Sequence, residues 1–433
     1  MRGTTIFRSL VLVIGVTLAV AGCTGAGASR ESPTAQDTAA PTAPVSAPPR
    51  PMPELPRLHV GPASWTTAGF GEVWRVVLAG DAIAYGRDNG RTVVVTDLAS
   101  GGERWRIEEK TPLNADGASV IDGPLAASAD GEVLLAEYFL TRCPTSLCAP
   151  GEVSVSDERG LVALSADDGS VLWTTPLRPS VAVDDPAAGY YSSLWLERIA
   201  VDDSTVVVTL TNKNGAPPPA GRATTESQGL DLATGEVRWR TPGLALPELP
   251  GAAAWVEHVD PDEQMVPGSA VGVSRIDART GTSLWRAEDL AVAESALGGA
   301  YLAGAAGGKI VTSLGDELEP PEGFGSCGGG ALLVCQGFRS GNERETRLLT
   351  VDADGDVTDS GWFPDIGGVP ESAPAGYVWL EGDDDASVAV DVHGNVLSTP
   401  VAGHVVSMSA RHLLVRTGRD ADLVQQYAVH PLD

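Results

Sequence analysis

Four times in this chain a glycine closes a polar turn and a tryptophan follows four residues later. The copies place Gly101 before Trp105, Gly169 before Trp173, Gly235 before Trp239 and Gly281 before Trp285, after turns opened by Asp97, Ser165, Asp231 and Asp277. A turn of the Asx type that ends on a residue free to take positive φ is hairpin chemistry. The even spacing to the tryptophan then fixes its ring on one face of the outgoing strand. Each copy is therefore a β-hairpin unable to bury its own apolar face, and a series of such units predicts a propeller or a solenoid.

The rest of the chain beyond residue 57 reads the same way. Short apolar runs such as residues 74–78, 92–96, 133–136, 161–164, 205–210, 271–276, 348–351 and 413–415 alternate with Gly, Asp, Asn and Pro clusters. No long window carries a 3.6-residue apolar period, so the expected class is all-β. Residues 142–154, 179–195, 216–228 and 317–328 read as loops inserted between strands. Two degraded turns, ending at Gly355 and Gly394, keep the Asp and Gly but lose the Trp. Gly61 precedes Trp65 with the repeat spacing but no apolar strand before it, while residues 424–430 form an apolar strand with no turn after it. One repeat is thus split between the termini. Counting turns predicts seven blades, with eight as the alternative, in a ring closed by pairing the N-terminal strand into the last blade.

The pattern is sharpest in residues 161–173 and 229–239, where a strand end, a turn, a glycine and a tryptophan follow in order. These segments resemble the PQQ-like, tryptophan-docking β-propeller repeat. The resemblance implies that Trp105, Trp173, Trp239 and Trp285 pack between neighbouring blades. It covers residues 57–433 and is clear over 90–286.

Residues 1–22 carry Arg2 and Arg8 ahead of an apolar run too short to span a bilayer, and read as a signal peptide. Residues 20–23, Val-Ala-Gly-Cys, resemble the bacterial lipobox, which makes Cys23 the lipidated first residue of an extracytoplasmic protein anchored by acyl chains such as palmitate. Residues 23–56 are then an Ala, Thr, Ser and Pro-rich stalk without the means to form a core, and residues 57–433 are the propeller. Five cysteines, less Cys23, leave Cys143 with Cys148 and Cys327 with Cys335 as local disulfides suited to that compartment. Asp plus Glu outnumber Lys plus Arg by 57 to 29, giving a net charge of −28, which excludes nucleic acid as a natural partner.

Candidates for chemistry are few. Asp352, Asp354 and Asp356 alternate as calcium ligands do, but Gly355 and Phe363 break the EF-hand template and the segment is also a repeat turn. Residues 323–328 match a dinucleotide fingerprint in letters only and read as a loop. No histidine pair has ligand spacing, and no nucleophile elbow or phosphate loop is present. The resembling family includes quinone-dependent dehydrogenases with, in many members, a disulfide between adjacent cysteines. This chain has no adjacent cysteines and only 5% aromatic residues, so no cofactor is expected. Tyr190, Tyr191 and Trp195 form an aromatic insertion suited to partner binding, unless Trp195 opens an inner strand and only the tyrosines are exposed. The expectation is a monomeric, non-catalytic envelope lipoprotein that binds another protein. The alternatives are a quinone-dependent enzyme and a small-ligand sensor. The resemblance extends to the propeller lipoprotein of outer-membrane barrel assembly.

Overall fold

In the computed structural model the described residues run from 55 to 432, apart from 68–72, 115–116, 141–156, 180, 183, 203, 248–252, 260–269, 297–298, 305–306, 321, 330, 341–343, 366–368, 373–375, 382–385 and 420–424. Cys23, Cys143 and Cys148, with the signal peptide and nearly all of the stalk, lie outside them.

Eight four-stranded antiparallel sheets follow one another along the chain as the blades of a propeller. Blade 1 runs from strand Trp74–Ala79 to Glu103–Ile107, blade 2 from Ser119–Ala127 to Val171–Arg178, blade 3 from Leu194–Val201 to Val237–Pro242 and blade 4 from Leu244–Pro247 to Ser283–Glu288. Blade 5 runs from Leu290–Ala296 to Glu317–Leu318, blade 6 from Phe324–Gly328 to Val357–Pro364 and blade 7 from Val369–Ser372 to Val401–Ala402. Blade 8 takes His404–Met408, His412–Arg419 and Gln425–Pro431 from the C-terminal end and its outer strand, Trp65–Thr66, from the N-terminal end.

The closure is antiparallel, with Trp65 opposite Val429 and Thr66 opposite Ala428. Ser64 N–H donates to the Val429 carbonyl at 2.8 Å and Thr67 N–H to that of Tyr427 at 3.0 Å, extending the pairing by one residue at each end. The core lies between blades rather than within them. Eight apolar clusters of described residues each draw side chains from two adjacent blades, including one that joins Trp65, Leu414, Tyr427 and Val429 of blade 8 to Ile83, Tyr85 and Leu98 of blade 1.

The expected count of seven blades is therefore one short. The blade that turn counting misses is blade 5. Its turn opens with Thr312, not Asp, and the Thr312 Oγ1 accepts from the N–H groups of Leu314 and Asp316 at 3.2 and 3.1 Å, reproducing the Asx arrangement with a hydroxyl. Its outer strand has only two residues and no tryptophan, and Pro320, which has no N–H to give a ladder, follows closely. Residues 324–328, expected as loop, form the inner strand of blade 6, because Cys327 stands directly opposite Cys335 and the two are disulfide-bonded at a Cα separation of 4.0 Å. Residues 225–228 are likewise strand, within Thr225–Asp231.

Candidate functional site

The first strand of each blade lies inside, beside the first strands of its neighbours. Because strands alternate in direction, each blade has two unlike ends. One rim carries the turn between third and fourth strands; the other carries the loop between second and third strands and the passage to the next blade.

At the turn rim the repeat glycines and tryptophans meet across blades. Gly101, Gly169, Gly235 and Gly281 have φ between +69° and +73°. Asp97, Asp231 and Asp277 each accept, through Oδ1, the N–H three residues on, at 2.7 to 2.8 Å. The indole N–H groups of Trp105, Trp173 and Trp239 donate to the carbonyls of Ala166, Leu232 and Ala278 in the following blade at 2.8, 2.7 and 2.6 Å. Each ring lies over the next turn's glycine so closely that a Cβ there would fall 2.9 Å from Trp105, 2.5 Å from Trp173 and 2.7 Å from Trp239. Trp285 approaches Gly315 in the same sense, with 3.2 Å to a Cβ there, and also packs edge-on against Trp255. Gly394 receives Phe363 where the earlier blades use tryptophan. Asp352 serves its turn, its Oδ1 accepting the N–H groups of Asp354 and Asp356 at 3.0 and 2.9 Å, while burial raises its pKa. Among the described residues no group of three His, Cys, Asp or Glu side chains comes together in a form that could hold a metal ion.

The connection rim of blades 1 to 3 is different in kind. Tyr190 and Tyr191 lie in the five-residue helix Ala188–Ser192 that links blade 2 to blade 3. Tyr190 is fully buried and donates its hydroxyl to the Ala223 carbonyl at 2.7 Å, so it anchors the helix and is not available to a partner. Arg222 lies over both tyrosine rings, 5.8 and 5.5 Å from their centroids, and is held in turn by Glu226. Burial raises the Tyr190 phenol well above its usual range, which keeps it a neutral donor. Trp195 does open an inner strand, yet it is the exposed member, at 48%. Trp74, which sequence reasoning reads only as a strand start, occupies the same place in blade 1 and is 40% exposed. Its indole N–H donates to Asp122 Oδ1 at 3.0 Å, and Arg75 pairs with the other oxygen of the same carboxylate at 3.2 Å. The signal that could have found it is shared: a tryptophan within the first two residues of an inner strand.

Around Trp195 stand two cations, Arg159 with Cζ 5.8 Å and Lys213 with Nζ 5.4 Å from the ring centroid. Lys213 is paired with Glu197 at 2.7 Å. Inner strands of blades 1, 2, 3, 5, 6 and 8 each slip register by one residue near this rim. Such bulges re-aim side chains at the ends of sheets.

The family described as outer membrane protein assembly factor BamB matches residues 89–298. No curated protein sequence matches the chain. Among solved structures, BamB from Moraxella catarrhalis is similar at 12% identity and a TM-score of 0.42, over 83% of this chain and 96% of that one. Quinohemoprotein alcohol dehydrogenase from Comamonas testosteroni is similar at 11% identity and a TM-score of 0.43, over 87% of this chain and 76% of that one. The quinohemoprotein alcohol dehydrogenase ADHIIG of Pseudomonas putida HK5 is similar at 10% identity and a TM-score of 0.41, over the same shares. With its repeated turns, docked tryptophans and eight blades, the chain is a β-propeller, and within it residues 89–298 match that family.

Proposed function

We propose that the protein is a non-catalytic, lipid-anchored propeller of the cell envelope that binds another protein through the connection rim of blades 1 to 3. The observation that carries this reading is the position of the exposed tryptophans. Among the described tryptophans only Trp74 and Trp195 are exposed, at 40% and 48%, and both begin inner strands at this rim. Tryptophan is the residue most enriched at the energetic centres of protein interfaces, and an open indole is otherwise an aggregation liability. The family match to an outer membrane protein assembly factor supports the same class of work, and the lipobox-like sequence at Cys23 supports anchoring outside the cytoplasm.

Site-directed photo-crosslinking in intact cells tests the reading. A crosslinking amino acid at Trp74 or Trp195 should give one discrete adduct that the same group at Leu284, exposed on the outer strand of blade 4, does not give. Equal labelling from both places would refute the assignment of the rim.

A further inference from the structure

At the connection rim, blade 2 turns toward blade 3 a row of side chains that is unbalanced in charge. Phe139 is directly opposite Arg159, and Arg159 directly opposite Arg178, on neighbouring strands, which puts all three on one face of the sheet. Glu137, two residues before Phe139, shares that face. Deeper members of the same face, Leu135, Leu161 and Trp173, pack against blade 3, so the row occupies the outer end of the interface between the two blades. Trp195 closes it from the side of blade 3.

Both guanidinium groups are drawn into this interface. Arg178 is 9% exposed and donates from Nη1 to the Ser192 carbonyl at 3.1 Å. The Nε–H groups of Arg159 and Arg178 are buried and meet no acceptor among the described residues. Native proteins seldom bury such a donor unpaired. The rings of Phe139 and Trp195 stand on the Arg159 guanidinium, each with its centroid 5.8 Å from Cζ.

Among the described residues the one carboxylate paired with either guanidinium is that of Glu137, and only distantly. Glu137 reaches Arg159 only at 4.0 Å, and burial pushes its own acid upward. Glu158 accepts the Tyr138 hydroxyl at 2.8 Å, and Glu197 is taken by Lys213. Burial lowers the pKa of Arg178, and the neighbouring charge that acts on it most is the like charge of Arg159, ahead of Glu137 and Asp157.

We propose that Arg159 and Arg178, walled by the rings of Phe139 and Trp195, form a binding site for a carboxylate carried on an apolar stem. A planar guanidinium fork matches a carboxylate with two parallel hydrogen bonds, and ring faces suit the carbon behind it. A monoanion suits the two guanidiniums better than a doubly charged phosphate or sulfate, which Glu137 and Asp157 would repel more strongly. The carboxylate can come from a small molecule or from the end of a polypeptide. The site lies on the rim assigned above to a protein partner, but its test does not require that assignment.

The test is calorimetric titration of the purified full-length protein with sodium benzoate, with sodium sulfate, and with a short peptide ending in phenylalanine as the free acid or the amide. Benzoate should bind saturably and sulfate at least tenfold more weakly. Arg159→Gln should weaken benzoate about tenfold or more, the usual loss for a charge-assisted hydrogen bond. Arg159→Lys, which keeps the charge but loses the fork, should weaken it several-fold and carries the test should the glutamine variant not fold. Binding of the peptide acid but not the amide identifies a polypeptide terminus as the source, whereas binding of benzoate with neither peptide identifies a small carboxylate; both support the site. Absence of saturable benzoate binding, equal affinity for sulfate, or unchanged affinity in a folded Arg159 variant would overturn it. Any of these could occur with the crosslink at Trp74 intact, so the two readings fail separately.

Discussion

Gly101 of blade 1 and Gly235 of blade 3 occupy the same place in their repeats and have nearly the same backbone, with φ of +69° and +72°. They differ in what lies above them. A Cβ at Gly101 meets nothing within 4 Å, whereas one at Gly235 would fall 2.5 Å from the Trp173 ring and 2.5 Å from Thr175 Oγ1. Substitution by alanine therefore separates two costs. At Gly101 only the left-handed backbone counts, about 1 to 2 kcal/mol for a residue with a Cβ. At Gly235 the same strain is joined by displacement of a buried indole whose N–H bond to the Leu232 carbonyl, 2.7 Å long, holds blade 2 to blade 3. Losing that hydrogen bond costs about 1 kcal/mol and loosening a buried tryptophan adds a share of the about 3 to 5 kcal/mol that full truncation costs. Gly235→Ala should thus destabilise by about 3 to 5 kcal/mol and Gly101→Ala by no more than about 2. Urea unfolding followed by tryptophan fluorescence measures both, with the slope checked because repeat proteins can lose two-state behaviour. Equal midpoints for the two variants would show that the turn glycines are selected for backbone alone and that ring-on-glycine docking does not hold the blades together.

Deleting residues 57–66 should cause aggregation or a large fall in melting temperature, because it removes the outer strand of blade 8 and the buried Trp65; deleting residues 24–49 should leave melting unchanged, and equal effects would contradict the closure. Replacing Cys23 by Ala should move the mature protein from the membrane to the soluble or secreted fraction, and unchanged fractionation would sink the anchoring proposal. Arg104 and the turn amide of Ser100 hold the Asp97 carboxyl well below the usual range, so its contribution to stability is complete above the unfolded value of about 4 and is lost as pH falls through the folded one. Asp97→Asn should accordingly lose less stability than the parent protein between about pH 5 and pH 2, as denaturation at each pH will show. Calorimetry with the quinone cofactor and calcium should show no saturable binding, and a micromolar dissociation constant would revive the enzyme reading.

What was legible in the sequence is what is local and repeated. The turns at Gly101, Gly169, Gly235 and Gly281 announce themselves because Asp, Gly and Trp each have a mechanical task within nine residues. The split of blade 8 was legible because Gly61 and Trp65 keep the repeat spacing with no strand before them, while residues 424–430 read as a strand with no turn after it. Blade 5 was not, since Thr312 performs the task of the aspartate with a hydroxyl and its outer strand is cut to Glu317–Leu318. The candidate site was harder still. Which of Tyr190, Tyr191 and Trp195 faces the core depends on one turn of helix and on the Ala223 carbonyl, 33 residues away from Tyr190. Arg159 and Arg178 meet only through strand register, and a bulge beside them decides that they share a face.

The two rims also differ in how freely the chain can change. The third and fourth strands of the first four blades are joined by residues 98–102, 166–170, 232–236 and 278–282, five residues each time. In blades 2 to 4 that constancy follows from docking, for a turn of another length would carry its glycine away from the preceding blade's ring. The second and third strands are joined by residues 88–91 in blade 1, 141–157 in blade 2 and 213–224 in blade 3. Nothing in the blade-to-blade contact at the turn rim depends on those lengths. Loops of variable length on a rigid scaffold are where recognition is built, and Trp74, Trp195, Arg159 and Arg178 lie at the rim that carries these loops. The regular rim holds the ring together, which leaves the irregular one free to hold something else.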